Sequence, residues 1–325
     1  MLYNELKEGI YILHENEEWL PPFKEAFARA KMEFGEIDLS KGGIDLNKEP
    51  PKGVFWSRMS ASSPSRGHAF AKEYARAIFA WLERYERRLI NPLSVLELEV
   101  SKVAQYLALD KAGFRTPKTL ALFGKAELLK QAQKAQTPFI IKHNQGGKGL
   151  GVRLFESVSE LERGLNSAEF EESVDGIYLL QEYVKSKAPF ITRLEFIGGK
   201  FHYGVRVDTS DGGFELCPAE ACEIERKPQL AAAACDINAK FTLRQDINAD
   251  FWLVKKLEGF LQEKGVEIAG VEFIESVENE LVVYDINTNT NYNKALEDSI
   301  RAKGEQAAAD RVAEFLVDEF RKEKR

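Results

Sequence analysis

Cysteine is scarce in this sequence: Cys217, Cys222 and Cys235 are the only three in 325 residues. An odd count cannot pair completely within the chain, so a disulfide-stapled scaffold is excluded and a reducing compartment fits. Cys217 and Cys222 stand five apart with no histidine cluster nearby, so inert thiols are a better reading than a metal site. Long apolar runs are also missing. None approaches the ~20 residues that a bilayer-spanning helix needs, and the opening MLYNELKEGI has no signal-peptide core. No block of lysine or arginine occurs and the net charge is −7, which removes a nucleic-acid backbone as a partner. These absences predict a globular cytoplasmic protein that works without membrane or nucleic acid.

What is present is ample for a core: 44% hydrophobic residues and a length that exceeds one compact unit. Residues 1–92 read as an α/β lobe. Apolar runs at 10–13 and 54–56 alternate with helical periodicity at 19–32 and 69–85, which implies a mostly parallel sheet. Residues 93–176 read as a compact α+β unit, with one helix over 94–113 and further helices over 124–136 and 158–166. Residues 177–325 change to longer strands, a hairpin at Gly198-Gly199 and a closing helix over 305–322.

Ligands of parallel α/β sheets sit beyond the carboxyl ends of strands. There, after the second apolar run, come Arg58, Ser60, Ser62, Arg66 and His68, a set of hydroxyls and cations suited to a carboxylate or phosphate. A solvated serine-rich loop is the alternative. At 138–155, PFIIKHNQGGKGLGVRLF sets four glycines between two β-prone runs, with Lys142 at the end of the first run and Lys148 within the loop. Glycine backbone can approach phosphate oxygens closely, so Gly146, Gly147 and Gly149 suggest a nucleotide loop, although an empty hairpin tip fits the same pattern. Both Walker A and the dinucleotide fingerprint open helices, whereas β-branched and apolar residues resume here.

Near the end, LVVYDIN puts Asp285 and Asn287 on one strand face, and AGVEF puts Glu272 among apolar neighbours. Oxygen donors so spaced suit Mg²⁺, with a solvent-facing strand as the alternative. Arg193 and Arg206 lie on the two arms of the Gly198-Gly199 hairpin; each would read singly as a surface arginine.

Taken in order, Lys102 in SKVAQYLALDKAGFRTP, Lys142, Glu182 in LLQEYV, Arg193, Arg206, Glu272, Asp285 and Asn287 resemble the ATP-grasp superfamily, most closely its RimK-like carboxylate–amine ligases. The resemblance covers about 90–325. It implies an N-terminal Rossmann-like pre-ATP-grasp lobe followed by a two-subdomain ATP-grasp fold. It further implies that ATP contacts Lys102, Lys142 and the loop Gly146, Gly147, Lys148 and Gly149, while Gln181, Glu182, Tyr183 and Val184 hold adenine. Glu272, Asp285 and Asn287 would bind one or two Mg²⁺ ions, or Mn²⁺ in their place. Arg206, with Arg193, would act on the transferred phosphoryl group. The implied enzyme is a C–N bond-forming, ADP-releasing ligase joining a small-molecule carboxylate to an amine through an acyl phosphate, with a homo-oligomer compatible. A phosphotransferase or a non-catalytic ATP-binding regulator would use the same residues. Departures from the family pattern are Thr192 before Arg193 where relatives commonly have Asp, the Glu-then-Asp metal order, the segment at 214–223, and Asn289, Asn291 and Asn293, which fall where acceptor substrates would sit.

Overall fold

Hydrophobic alternation becomes three four- or five-stranded sheets in a computed structural model that describes residues 1–325 except 148, 150, 169, 211–239 and 325. Lys148, the three cysteines and the segment 214–223 therefore lie outside the described residues. The first sheet is parallel, in the order β2 (Gly35–Asp38), β1 (Gly9–His14), β3 (Gly53–Arg58), β4 (Arg88–Ile90). All six residues of β3 are buried, as expected of a strand covered on both faces. Helix Ala71–Arg84 buries Ala75, Ile78, Phe79 and Leu82, an i, i+3, i+4, i+7 stripe that packs on this sheet. The short β2 carries Glu36 and Asp38 and escaped the apolar pattern.

The second sheet runs β5 (Thr119–Phe123), β8 (Ile177–Glu182), β6 (Phe139–His143), β7 (Arg153–Phe155), antiparallel throughout. The division expected at 176 cuts this sheet, because β8 pairs with β5 on one side and β6 on the other. The third sheet, also antiparallel, has the order β11 (Phe241–Leu243), β10 (Lys200–Asp208), β9 (Phe190–Ile197), β12 (Ile268–Glu275), β13 (Leu281–Asn287). Its face bearing Leu194, Phe196, Val271 and Phe273 packs on helix Trp252–Lys264.

The single helix expected over 94–113 is two: Leu93–Val100 and Lys102–Lys111. Ser101 breaks it with an extended backbone, and its hydroxyl accepts the Ala104 N–H as an N-cap. The break puts Lys102 first in its helix, with its N–H bonded to the Asn144 carbonyl at 3.1 Å.

The C-terminal helix Ala308–Glu323 lies between the first and third sheets. Its Val312, Leu316 and Phe320 share one core with Ile10, Val54 and Trp56 on one side and Ile197 and Ile268 on the other. Since Leu316 is fully buried there, Leu316→Ala should cost about 2–5 kcal/mol. Calorimetry should show both lobes unfolding together at a lower temperature; a first lobe melting separately would contradict the shared core.

Candidate ATP and metal site

A cavity of about 450 Å³ opens where the three sheets meet. Its chemical end is built on the β12–β13 hairpin, whose register sets Glu272 directly opposite Asp285. Two carboxylates on adjacent buried strands repel and lose hydration, so each needs a cation. Lys102 donates to Asp285 Oδ1, and Arg193 donates to Glu272 Oε1 at 3.1 Å. Tyr284 donates to the other Glu272 oxygen at 2.7 Å, and Asn287 to Asp285 Oδ2 at 3.2 Å.

These contacts shape the charges. Burial raises the Glu272 pKa, opposed by Arg193 and reinforced by Asp285. Burial acts the same way on Asp285, but Lys102 and Lys142 outweigh it and hold the carboxyl below its ordinary value. Lys102 is disfavoured by burial yet raised overall by Asp285. Lys142 has no such partner among the described residues: its amine meets the Tyr106 hydroxyl, and burial with repulsion from Lys102 pushes it down to about 7. Tyr106 also accepts from Gln181 at 2.9 Å and donates to the Tyr284 carbonyl at 3.0 Å, tying the two subdomains together at this point.

Glu272, Asp285 and Asn287 all border the cavity and offer hard oxygens of the type Mg²⁺ prefers. The donor set fits a divalent cation, which would compensate both carboxylates as Lys102 and Arg193 do here. No cluster of three or more His, Cys, Asp or Glu suited to a metal occurs among the described residues.

Gly146, Gly147 and Gly149 border the same cavity. A Cβ on Gly147 would come within 3.2 Å of Ser62 Cβ, so the glycine loop touches the first lobe. Lys72 adds a bond to the Gln145 side chain. Tyr183 and Val184 border the far end, together with Ile140, Leu154, Ile191 and Ile274, an apolar slot suited to a flat base. Gln181 is buried on Tyr106 and Thr119. The Glu182 carboxylate is engaged by Arg115 at 2.6 Å and the Lys118 N–H at 2.9 Å, and its own N–H donates to the Lys118 carbonyl.

Two expectations need correction. Arg206 pairs with Thr192 across β9–β10, whereas Arg193 pairs with Val205, and cross-strand partners share a face. Arg206 therefore projects from the opposite side of the sheet to Arg193. It is half-exposed over the Phe190 ring at 4.4 Å, beside Asp208 and away from the cavity. In the first-lobe loop, Ser60 and Ser62 reach the cavity but Arg58, Arg66 and His68 do not. Arg58 is fully buried and donates to the Trp19 and Thr290 carbonyls and Asn291 Oδ1, bracing the first lobe against residues after β13. Burial lowers its pKa to about 10. Arg66 and His68 both pair with buried Glu15.

Several residues went unread in the sequence. Glu99 accepts from the Ala61 N–H and from Thr288. Tyr106 and Trp19 carry no motif. Asn289 borders the cavity buried, with neither amide atom bonded among the described residues. This one was read: the sequence set Asn289, with Asn291 and Asn293, where acceptor substrates would sit. Asn293 of that set caps helix Lys294–Ala302 through the Leu296 N–H.

No family model matches the chain. It is 27% identical over 239 residues to the alpha-aminoadipate–LysW ligase LysX of Sulfurisphaera tokodaii, covering 70% of this chain and 79% of that one. D-cycloserine synthetase DcsG superposes with a TM-score of 0.66 at 16% identity, covering 95% of this chain and 99% of that chain. A RimK domain ATP-grasp protein of Sphaerobacter thermophilus gives 0.60 at 16% identity, over 94% and 99% of the two chains. The fold is the ATP-grasp fold.

A bound triphosphate would favour the charged form of Lys142 and raise its pKa from about 7. Nucleotide affinity should therefore be full below pH 7 and fall by up to about tenfold per unit as pH rises through 7 towards the bound-state pKa. Calorimetry in buffers of different ionisation enthalpy should find near one proton taken up at pH 8 to 9 and almost none at pH 6. Lys142→Met should abolish the difference.

Proposed function

We propose that this protein is an ATP- and Mg²⁺-dependent ligase that joins a carboxylate to an amine through an acyl phosphate, releasing ADP and phosphate. The observation that carries this reading is the pairing of Glu272 and Asp285 across β12–β13, facing Lys102 and Lys142 beneath the glycine loop. Phosphoryl transfer needs positioning and charge neutralisation more than a protein nucleophile, and this cavity offers those.

Lys102 and Lys142 would bind phosphate oxygens of ATP while the apolar slot near Val184 takes the base. Glu272, Asp285 and Asn287 would hold Mg²⁺, which supplies charge neutralisation between the phosphates. The substrate carboxylate oxygen attacks the γ-phosphorus as the bond to ADP breaks. The amine nitrogen then attacks the acyl carbon; the amine loses a proton and phosphate departs. Arg193 presents a buried cation where negative charge develops.

Ser60 and Ser62 from the first lobe, with Asn289 and Asn291, border the opposite end and would receive the acceptor. An amino acid or small peptide suits an opening of this size. That range agrees with a relative named as an alpha-aminoadipate–LysW ligase and with a similar fold, that of the ligase PsnB, solved with a precursor peptide. A phosphotransferase or a regulatory ATP binder would use the same residues, and only bond formation to an amine separates the ligase from them.

Incubation with ATP, Mg²⁺ and a panel of amino acids and peptides should release ADP, and hydroxylamine should trap a hydroxamate from one carboxylate alone. Glu272→Gln and Asp285→Asn should each lower turnover on the order of 100-fold or more. ATP binding without ADP release across every carboxylate–amine pair would refute the ligase assignment.

A further inference from the structure

Arg193 is held more tightly than a general electrostatic partner requires. It lies flat on β12, where a Cβ on Gly270 would stand 2.6 Å from its Nε and Nη2. Gly270 is the cross-strand partner of Glu195, two residues beyond Arg193 on the same face of β9. Glu195 accepts from Arg193 Nε at 2.6 Å. The Thr290 hydroxyl accepts from Nη2 and donates to the other Glu195 oxygen at 2.9 Å. Glu195 and Thr290 are buried and neither borders the cavity. Only the Nη1 edge is directed to Glu272.

We infer that Glu195 is a positioning residue of the ligation site: it fixes the guanidinium edge that faces the reaction centre and keeps Arg193 compensated when Glu272 turns to a divalent cation. This rests on the proposed metal site. The physical reason is the cost of an unpaired buried charge. With Glu272 as its only counter-ion, Arg193 would be left an unpaired buried charge whenever the carboxylate moved to metal. With Glu195 behind it, the arginine stays paired and Glu272 can exchange partners. Gly270 supplies the space that lets the guanidinium lie between the two carboxylates.

The test is calorimetric binding of Mn²⁺ in the presence of ADP to the full chain, its Glu195→Gln variant and its Glu272→Gln variant, with metal-free ADP affinity and the melting temperature measured for each. Glu195→Gln should weaken Mn²⁺ on the order of tenfold while leaving metal-free ADP affinity within about twofold, a split that a merely structural role would not produce. Glu195→Asp, which keeps the charge, should recover most of the loss and serves equally if the glutamine variant folds poorly. Wild-type Mn²⁺ affinity in Glu195→Gln, alongside a loss in Glu272→Gln, overturns the clamp and leaves the ligase reading standing. Unchanged affinity in both variants overturns the metal set and the clamp with it.

Discussion

Compensation of buried charge is the constraint around which this structure is arranged. Two carboxylates meet on neighbouring strands at the floor of a cavity, where each would cost several kcal/mol if left alone. The chain offsets that cost with cations from distant segments: Lys102 from a helix start, Arg193 from the central strand of the same sheet. Arg193 keeps Glu195 as a second counter-ion when Glu272 leaves it, whereas Lys102 and Asp285 depend on each other. Such a site favours ligands that replace both partners together, a divalent cation for the carboxylates and an anion for the lysine. Lys142, buried with no ion pair of its own among the described residues, completes the demand for negative charge.

The surrounding architecture holds these groups at fixed spacing. Asn144 receives the Lys102 N–H on its carbonyl and the Val103 N–H on its side chain, joining the end of β6 to the helix that carries the first lysine. Arg58 ties the first lobe to residues beyond β13, and the glycine loop rests on Ser62. The C-terminal helix links the parallel sheet to the sheet that carries the carboxylates. The first lobe is thus part of the cavity wall and of the core, with no loose hinge implied by its packing.

Much of this was legible from local pattern. Alternating apolar runs located nearly every long strand, and the order of basic and acidic residues pointed to the ATP-grasp fold. Errors arose where a local pattern carried no tertiary information. Residues 94–113 keep helical periodicity through Ser101, so only the cap reveals the break. Strand β8 looks like its successors, but its partners come from residues before it. Arg206 and Arg193 have equal standing as cations in a hairpin, and the register alone sends them to opposite faces. Arg58 and Arg66 resembled ligand cations because a sequence does not display the carbonyls and the carboxylate that occupy them.

Composition, periodicity and glycine placement by themselves determined the class of fold, the location of the glycine loop and the acidic pair on the last two strands. These properties depend on residue type and near-neighbour spacing, which a linear string preserves. Which charges face one another, which are already satisfied and which line open space were decided only by the tertiary structure. Compensation acts over a few ångströms between residues as far apart as Lys102 and Asp285, and only folding brings them within that range.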